Sequence, residues 1–345
     1  MRFRSAVPGP WLSRFAWFTV AATLLLICSG GMVTSKGVGL AVPDWPTTFG
    51  YNMFLFPVSK WIGGILFEHV HRLIASTVGL LTIILTWSLW RMERRSWVRN
   101  LGFAALAAVV VQGVLGGLRV TLLKDQIGIF HACVAQAFLG MLVLIALATT
   151  QAWRRLPSLS GGSRLAALAI LATALIYGQL ALGATMRHQH RDLAILDFPT
   201  AYGNWIPDTS AAALAGINAS RDARALSDVT AFHIWLQMAH RFVAVMISAA
   251  VILFWIRVRS DGAAPTALRH LSTAWLFLLL GQVILGAWTI WSNKAADIAT
   301  AHVAVGAIML SVGVSASAIC RRSGSPADEK IQEATPISRV TAAAA

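Results

Sequence analysis

Four histidines lie within or at the ends of strongly apolar stretches of this 345-residue chain: His71, His131, His240 and His302. They fall into two pairs at nearly one spacing, 240 − 71 = 169 and 302 − 131 = 171. An imidazole in an apolar helix is costly to bury, so it faces the interior and finds a partner or a function there. Two imidazoles from separate helices can bind one iron from opposite sides, which is the axial ligation of a haem. Zinc wants three or four clustered ligands, with thiolate or carboxylate common among them. No such set stands in either half, so haem ligation leads, with a polar or proton pathway as the alternative. Glu68 precedes His71 by three residues and shares its helical face. Its counterpart at 237 − 68 = 169 is the neutral Gln237. A carboxylate beside a haem can take up or deliver protons, which marks the first half as the reaction site and the second as an electron store. The plainer alternative is an interfacial Glu paired with a nearby Arg.

The elements that must carry these side chains are set by composition. Hydrophobic residues make up 57% of the chain and charged ones 12%, with a mean hydropathy of +0.67. Such a surplus of apolar surface must face lipid. A hydrocarbon core about 30 Å thick takes roughly 20 apolar residues per helix. Runs near 15–35, 70–90, 101–118, 131–150, 165–185, 235–256, 271–291 and 299–319 predict eight transmembrane helices. The four histidines then sit in the first turns of the even-numbered spans, at similar depth. The first run also has the form of a signal peptide, but it is long and lacks a clear small-residue cleavage site, so it reads as a retained helix.

The chain repeats itself. Leu40 to Gly50 matches Leu193 to Gly203 at 193 − 40 = 153, and Gln112 to Gly116 matches Gln282 to Gly286 at 282 − 112 = 170. Gln179 and Gly183 carry the same Gln-to-Gly spacing in span five. An even number of spans per copy keeps both copies in one orientation. The fold class predicted is an all-α integral membrane protein of two tandem four-helix bundles related by a pseudo-two-fold axis along the membrane normal. The first unit covers 1–155, the second 156–322, and 323–345 forms a cytoplasmic tail without fixed structure. Segment 186–232 holds about sixteen extra residues, the difference between the offsets of 153 and 169.

The repeat separates ligand candidates from bystanders. Met238 stands where His69 does, so His71 and not His69 pairs with His240. His188, His190, His233 and His270 have no counterpart and read as surface or helix-end residues. Arg72, Arg241, Lys124 and Lys294 recur at the outer rim, where they either neutralise haem propionates or snorkel at helix ends. Gly116, Gly117, Gly183 and Gly286 allow close approach, which packing alone explains. Cys28, Cys133 and Cys320 read as small buried apolar residues.

The net charge of +14 follows topology. Arg2, Arg4 and Arg14 precede span one; Arg91, Arg94, Arg95 and Arg99 follow span two; Arg154, Arg155 and Arg164 follow span four. Arg257, Arg259 and Arg269 follow span six, and Arg321 and Arg322 follow span eight. By the positive-inside rule these loops and both termini are cytoplasmic in a multi-pass protein of the cell (inner) membrane. The basic residues form no single patch, and a nucleic-acid partner is not expected.

On these residues the chain resembles the haem A synthases of the cytochrome oxidase assembly pathway. The elements that carry the resemblance are Glu68-x-x-His71-Arg72, His240-Arg241, His131, His302 and the run Gly39 to Pro46. The resemblance implies oxidation of a ring methyl of haem O to a formyl group, giving haem A, with haem b as a resident cofactor. It implies His71 and His131 as substrate-side ligands, Glu68 as the catalytic carboxylate, and His240 and His302 as haem b ligands. The repeat, rather than the resemblance, sets Arg72 and Lys124 on the haem O side and Arg241 and Lys294 on the haem b side. It also makes haem O synthase and cytochrome oxidase assembly factors candidate partners, together with an electron partner the sequence does not name. One branch of that family carries a Cys pair in the first outer loop, and segment 36–64 has no Cys. The reading from a different class is a di-haem b-type electron-transfer protein without catalysis on haem, and a haem carrier or exporter is a third.

Overall fold

The computed structural model describes residues 10–156, 162–189 and 193–323. The predicted tail from 324 onward, His190 and residues 1–9 lie outside them. Among the described residues the chain is helical apart from turns and two isolated bridges. Eight helices are long and apolar enough to cross a membrane. They are α1 (Pro10–Ser35), α2 (Gly63–Met92), α3 (Ser96–Leu122), α4 (Asp125–Thr149), α6 (Gly162–His188), α8 (Ala231–Ser260), α9 (Thr266–Trp291) and α10 (Ala296–Ser323). A short α5 (Gln151–Arg154) follows α4, and α7 (Ala211–Asp222) lies between α6 and α8.

The spans match the apolar runs but start earlier than hydropathy alone places them. Helix α2 begins at Gly63 and α8 at Ala231, because backbone pairing continues past the apolar window through Glu68 and Gln237. This corrects the expected depth of the histidines. His71 and His240 lie a little over two turns into their helices, and His131 and His302 a little under two.

Helix neighbours follow chain order. Helix α1 packs on α2 and α4, and α3 packs on α2 and α4. In the second half α6 packs on α8 and α10, and α9 on α8 and α10. Contacts of α1 with α10, and of α4 with α6 and α10, join the two sets. Each set has its own apolar core: Phe254 and Trp275 with their neighbours in the second, and Leu85, Leu89 and Phe138 with theirs in the first. Many outward apolar side chains stay uncovered, Phe18, Trp87, Phe103, Val245 and Phe277 among them, as lipid-facing surfaces require.

Two outer segments cap the helix ends, and both are stapled by an aspartate. Asp44 accepts from the backbone N–H of Phe49 at 2.7 Å and of Gly50 at 2.8 Å. Asp197 accepts from Tyr202 at 2.8 Å and Gly203 at 3.0 Å. Gly50 and Gly203 have φ of +76° and +79°, the left-handed region that glycine enters without cost. The extra residues of the second half form α7. Its N-terminus is capped by Ser210, and its Arg221 donates to the carbonyls of Leu193 and Ala194, tying it to the second segment.

Candidate haem sites

Each of the four histidines lays its ring on a glycine of another span. His71 of α2 meets Gly30 of α1, and His131 of α4 meets Gly116 of α3. His240 of α8 meets Gly183 of α6, and His302 of α10 meets Gly286 of α9. A Cβ at these glycines would stand 3.0, 3.5, 3.4 and 3.2 Å from the ring Cε1, in that order. The glycines therefore act as cradles for the rings, beyond the general helix packing expected for Gly116, Gly183 and Gly286. Gly117 instead meets the indole of Trp45, from the first outer segment.

Three of the histidines are also fixed through their backbone. Gln112, Gln179 and Gln282 donate through Nε2 to the carbonyls of His131, His240 and His302 at 3.0, 2.9 and 3.0 Å. The repeat would put the fourth such residue at 179 − 153 = 26, where Leu26 stands, so His71 lacks this tether. Left-handed residues, Leu123 at φ +55° and Asn293 at φ +51°, turn α3 and α9 into the helices that carry His131 and His302.

The rings pair within each half. His71 and His131 lie within electrostatic reach of one another, as do His240 and His302. The Nδ1 of all four is buried without a hydrogen-bond partner, while no Nε2 of the four is among the buried unpartnered atoms. Nε2 is thus the nitrogen with open space before it. Among the described residues no three of His, Cys, Asp and Glu cluster on one ion. Two imidazoles per half, cradled by glycine and offering Nε2, fit the donor set of a six-coordinate haem.

Glu68 is 3% exposed. Its Oε2 accepts from the N–H of Val42 at 2.9 Å and its Oε1 from Arg72 at 2.8 Å. Gln237 does the same work in the other half, accepting from Ile195 N–H at 2.8 Å and donating to Ile195 O at 3.1 Å. Arg72 further donates to the carbonyls of Val42, Asp44 and Thr47. Arg241 donates to those of Asp197, Pro199 and Thr200. Both guanidinium groups thus hold the outer segments over the helix ends. Lys124 is exposed at the start of α4, and Lys294 stands in the corresponding turn before α10 at φ +62°.

The remaining histidines divide. His69 is fully buried among Phe56 and Trp61, with Nδ1 3.3 Å from Thr48 Oγ1, and takes no place in the pairs. His233 caps α8 with Thr230, and His270 is exposed. His188 corrects the surface reading. It is 8% exposed and packs on Gly128 of α4, because α6 ends against the first half and not in solvent. Cys320 is buried as expected, whereas Cys28 and Cys133 are only partly so. Two cations near the sites escaped sequence reasoning. Arg119 of α3 lies within electrostatic reach of His71 and His131. Arg187 of α6 lies within reach of His302 and donates to Gly31 O of α1 at 2.6 Å. Their repeat counterparts, Thr289 at 119 + 170 and Thr34 at 187 − 153, are neutral. That asymmetry was the available signal.

An eight-span helical membrane protein with an inward-facing imidazole pair in each half is, by class, a candidate haem-binding membrane protein. Residues 13–314 match the family model described as cytochrome oxidase assembly protein, and the chain belongs to that family. It is similar to the heme A synthase of Shewanella oneidensis, 25% identical over 87% of this chain and 93% of that protein. It is also similar to those of Shouchella clausii, 25% identical over 82% and 88%, and Geobacillus kaustophilus, 27% identical over 84% and 86%.

Proposed function

We propose that this protein is a haem A synthase, an oxidoreductase that converts the ring methyl of haem O to the formyl group of haem A for cytochrome oxidase. The observation that carries the reading is the pairing of two imidazole sites of which only one has a buried carboxylate, Glu68, while the other has Gln237. A symmetric electron relay gains nothing from a carboxylate on one side alone, and this favours the enzyme over the di-haem relay.

In this reading His71 and His131 bind the iron of haem O, and His240 and His302 hold a resident haem b, which supplies one-electron transfer when bound. The glycine cradles and the Gln tethers keep the imidazoles in place, and Glu68 holds or moves a proton beside the first site. The two-unit architecture, 1–155 and 156–322 about a pseudo-two-fold axis, is supported by the parallel neighbour pairs α1–α4 and α6–α10. The basic loops support cytoplasmic termini, in the cell membrane.

Extraction of the haems carried by the purified protein tests the reading. Haem O, its hydroxylated form or haem A beside haem b is expected; haem b alone would favour the relay. His240→Ala and His302→Ala should each remove the resident haem, whereas His71→Ala and His131→Ala should keep it and abolish product.

A further inference from the structure

Arg119 sits in the last turn of α3, partly buried, in a chain where its repeat counterpart is Thr289. Its guanidinium lies against the backbone of Gly39 so closely that a Cβ there would stand 2.9 Å from Nη1 and 3.2 Å from Nη2. Among the described residues this guanidinium makes no hydrogen bond and no ion pair. It lines a cavity of about 90 Å³ with Thr34, Leu40, Lys124, Asp125 and His188, where α1, α3 and α4 meet the end of α6. That volume suits the arm of a ligand rather than a whole tetrapyrrole.

A guanidinium at the end of a membrane span that has no hydrogen-bond partner among the described residues, and whose nitrogens are not sealed from the cavity, is open to an anion. The two acids within its electrostatic reach are Glu68 and Asp125. Glu68 is held by Arg72 and the Val42 N–H. Asp125 is exposed and starts α4, where the helix N-terminus favours a carboxylate in any case. Neither closes on Arg119. Arg72, the arginine expected from the sequence to meet the substrate's carboxylates, has its donors directed at loop carbonyls and Glu68.

We propose that Arg119, backed by Lys124, binds a propionate carboxylate of haem O and so fixes the orientation in which the ring enters the first half. The planar guanidinium matches a carboxylate with two parallel N–H donors, and its electrostatic reach to His71 and His131 puts that anchor on the side of the first imidazole pair. Gly39 leaves room for this seat, since a Cβ there would make the guanidinium, the far end of a flexible side chain, shift away. This deepens the haem A synthase reading and depends on haem O being the substrate.

The test uses the purified full-length protein titrated with haem O and with haem O dimethyl ester, whose propionates carry no charge. Arg119→Gln should weaken haem O binding by about 10- to 100-fold, the range of a charge-assisted hydrogen bond, and leave the affinity for the ester unchanged. Arg119→Lys should recover part of the loss, and Gly39→Ala should show the same selective weakening with the charge retained. The spectrum of the haem at His240 and His302 reports folding in every variant. Unchanged haem O affinity in Arg119→Gln overturns the proposal, and so does an equal loss for acid and ester. Wild-type protein that binds haem O with this selectivity but forms no haem A would instead refute the synthase reading alone. Wild-type protein that does not bind haem O refutes both.

Discussion

Glu68 and Gln237 grip the same point of their respective outer segments. One accepts from Val42 N–H at 2.9 Å and the other from Ile195 N–H at 2.8 Å, positions related by 195 − 42 = 153. The latch is common to both halves, and the charge is confined to one. Glu68→Gln therefore separates structure from chemistry. The amide keeps the Val42 acceptor, and Arg72 keeps its three loop carbonyls. Haem binding should survive while haem A formed per protein, in membranes supplied with haem O, falls by about 10²-fold or more. Conversion at the wild-type rate would leave Glu68 as a latch and nothing else. The reciprocal Gln237→Glu cannot donate to Ile195 O, so it should loosen the second segment to protease.

The orientation in the membrane follows from where arginine accumulates. Arg154 and Arg155 follow α4 directly, whereas Asp208 stands between α6 and α8 in the second outer segment. Reporter fusions after Arg155 and after Asp208 should report opposite sides of the membrane, the first cytoplasmic. Equal signals from the two would refute the topology.

What could be read in advance was what depends on local pattern. Apolar windows located all eight spans, and the repeat isolated His71, His131, His240 and His302 from nine histidines. The destination of long polar side chains could not be read, since it depends on contacts across the chain. Arg72 reaches Val42, thirty residues away, and His188 reaches Gly128 in another span. Arg119 at the end of an apolar run looks like an ordinary snorkelling residue. Only its neutral counterpart Thr289 hinted otherwise.

Acid should act on the outer segments late. Burial works to raise the Asp44 carboxyl, but donors from Gly50, Thr47 and Phe49 outweigh it and hold it below the usual carboxylate value; Asp197 behaves alike through Gly203, Thr200 and Tyr202. A depressed folded pKa gives stability that is fully present above the unfolded value, about 3.9, and is lost as pH falls through the lower folded value. Hydrogen exchange of Phe49, Gly50, Tyr202 and Gly203 should thus show constant protection from pH 7 to about pH 4 and lose it only below that. Asp44→Asn should expose the first segment at neutral pH. Loss of wild-type protection already at pH 5 would contradict the staple.

The four glycine cradles are not equally tight, and the difference predicts which substitutions the sites tolerate. A Cβ at Gly116 or Gly183 would meet its imidazole at 3.5 or 3.4 Å, ordinary van der Waals contact. At Gly30 and Gly286 it would come to 3.0 and 3.2 Å, so the ring must give by a few tenths of an ångström. His302 cannot yield freely, since Gln282 holds its carbonyl at 3.0 Å, and close-packed interiors pass such strain on rather than absorb it. On the proposed assignment of a haem to His240 and His302, Gly286→Ala should therefore shift the His302 ring and appear as a shifted low-spin signal with reduced haem retention. Gly183→Ala, one helix pair away in the same half, should leave that signal in place. In the first half Gly30→Ala should weaken haem O binding more than Gly116→Ala. His71 lacks the Gln tether, with Leu26 at that position, so its ring can retreat, and the effect there should be smaller than that of Gly286→Ala. Visible and electron paramagnetic resonance spectra of the four purified variants measure this order. Identical spectra for Gly286→Ala and Gly183→Ala would show that the cradles do not position the rings.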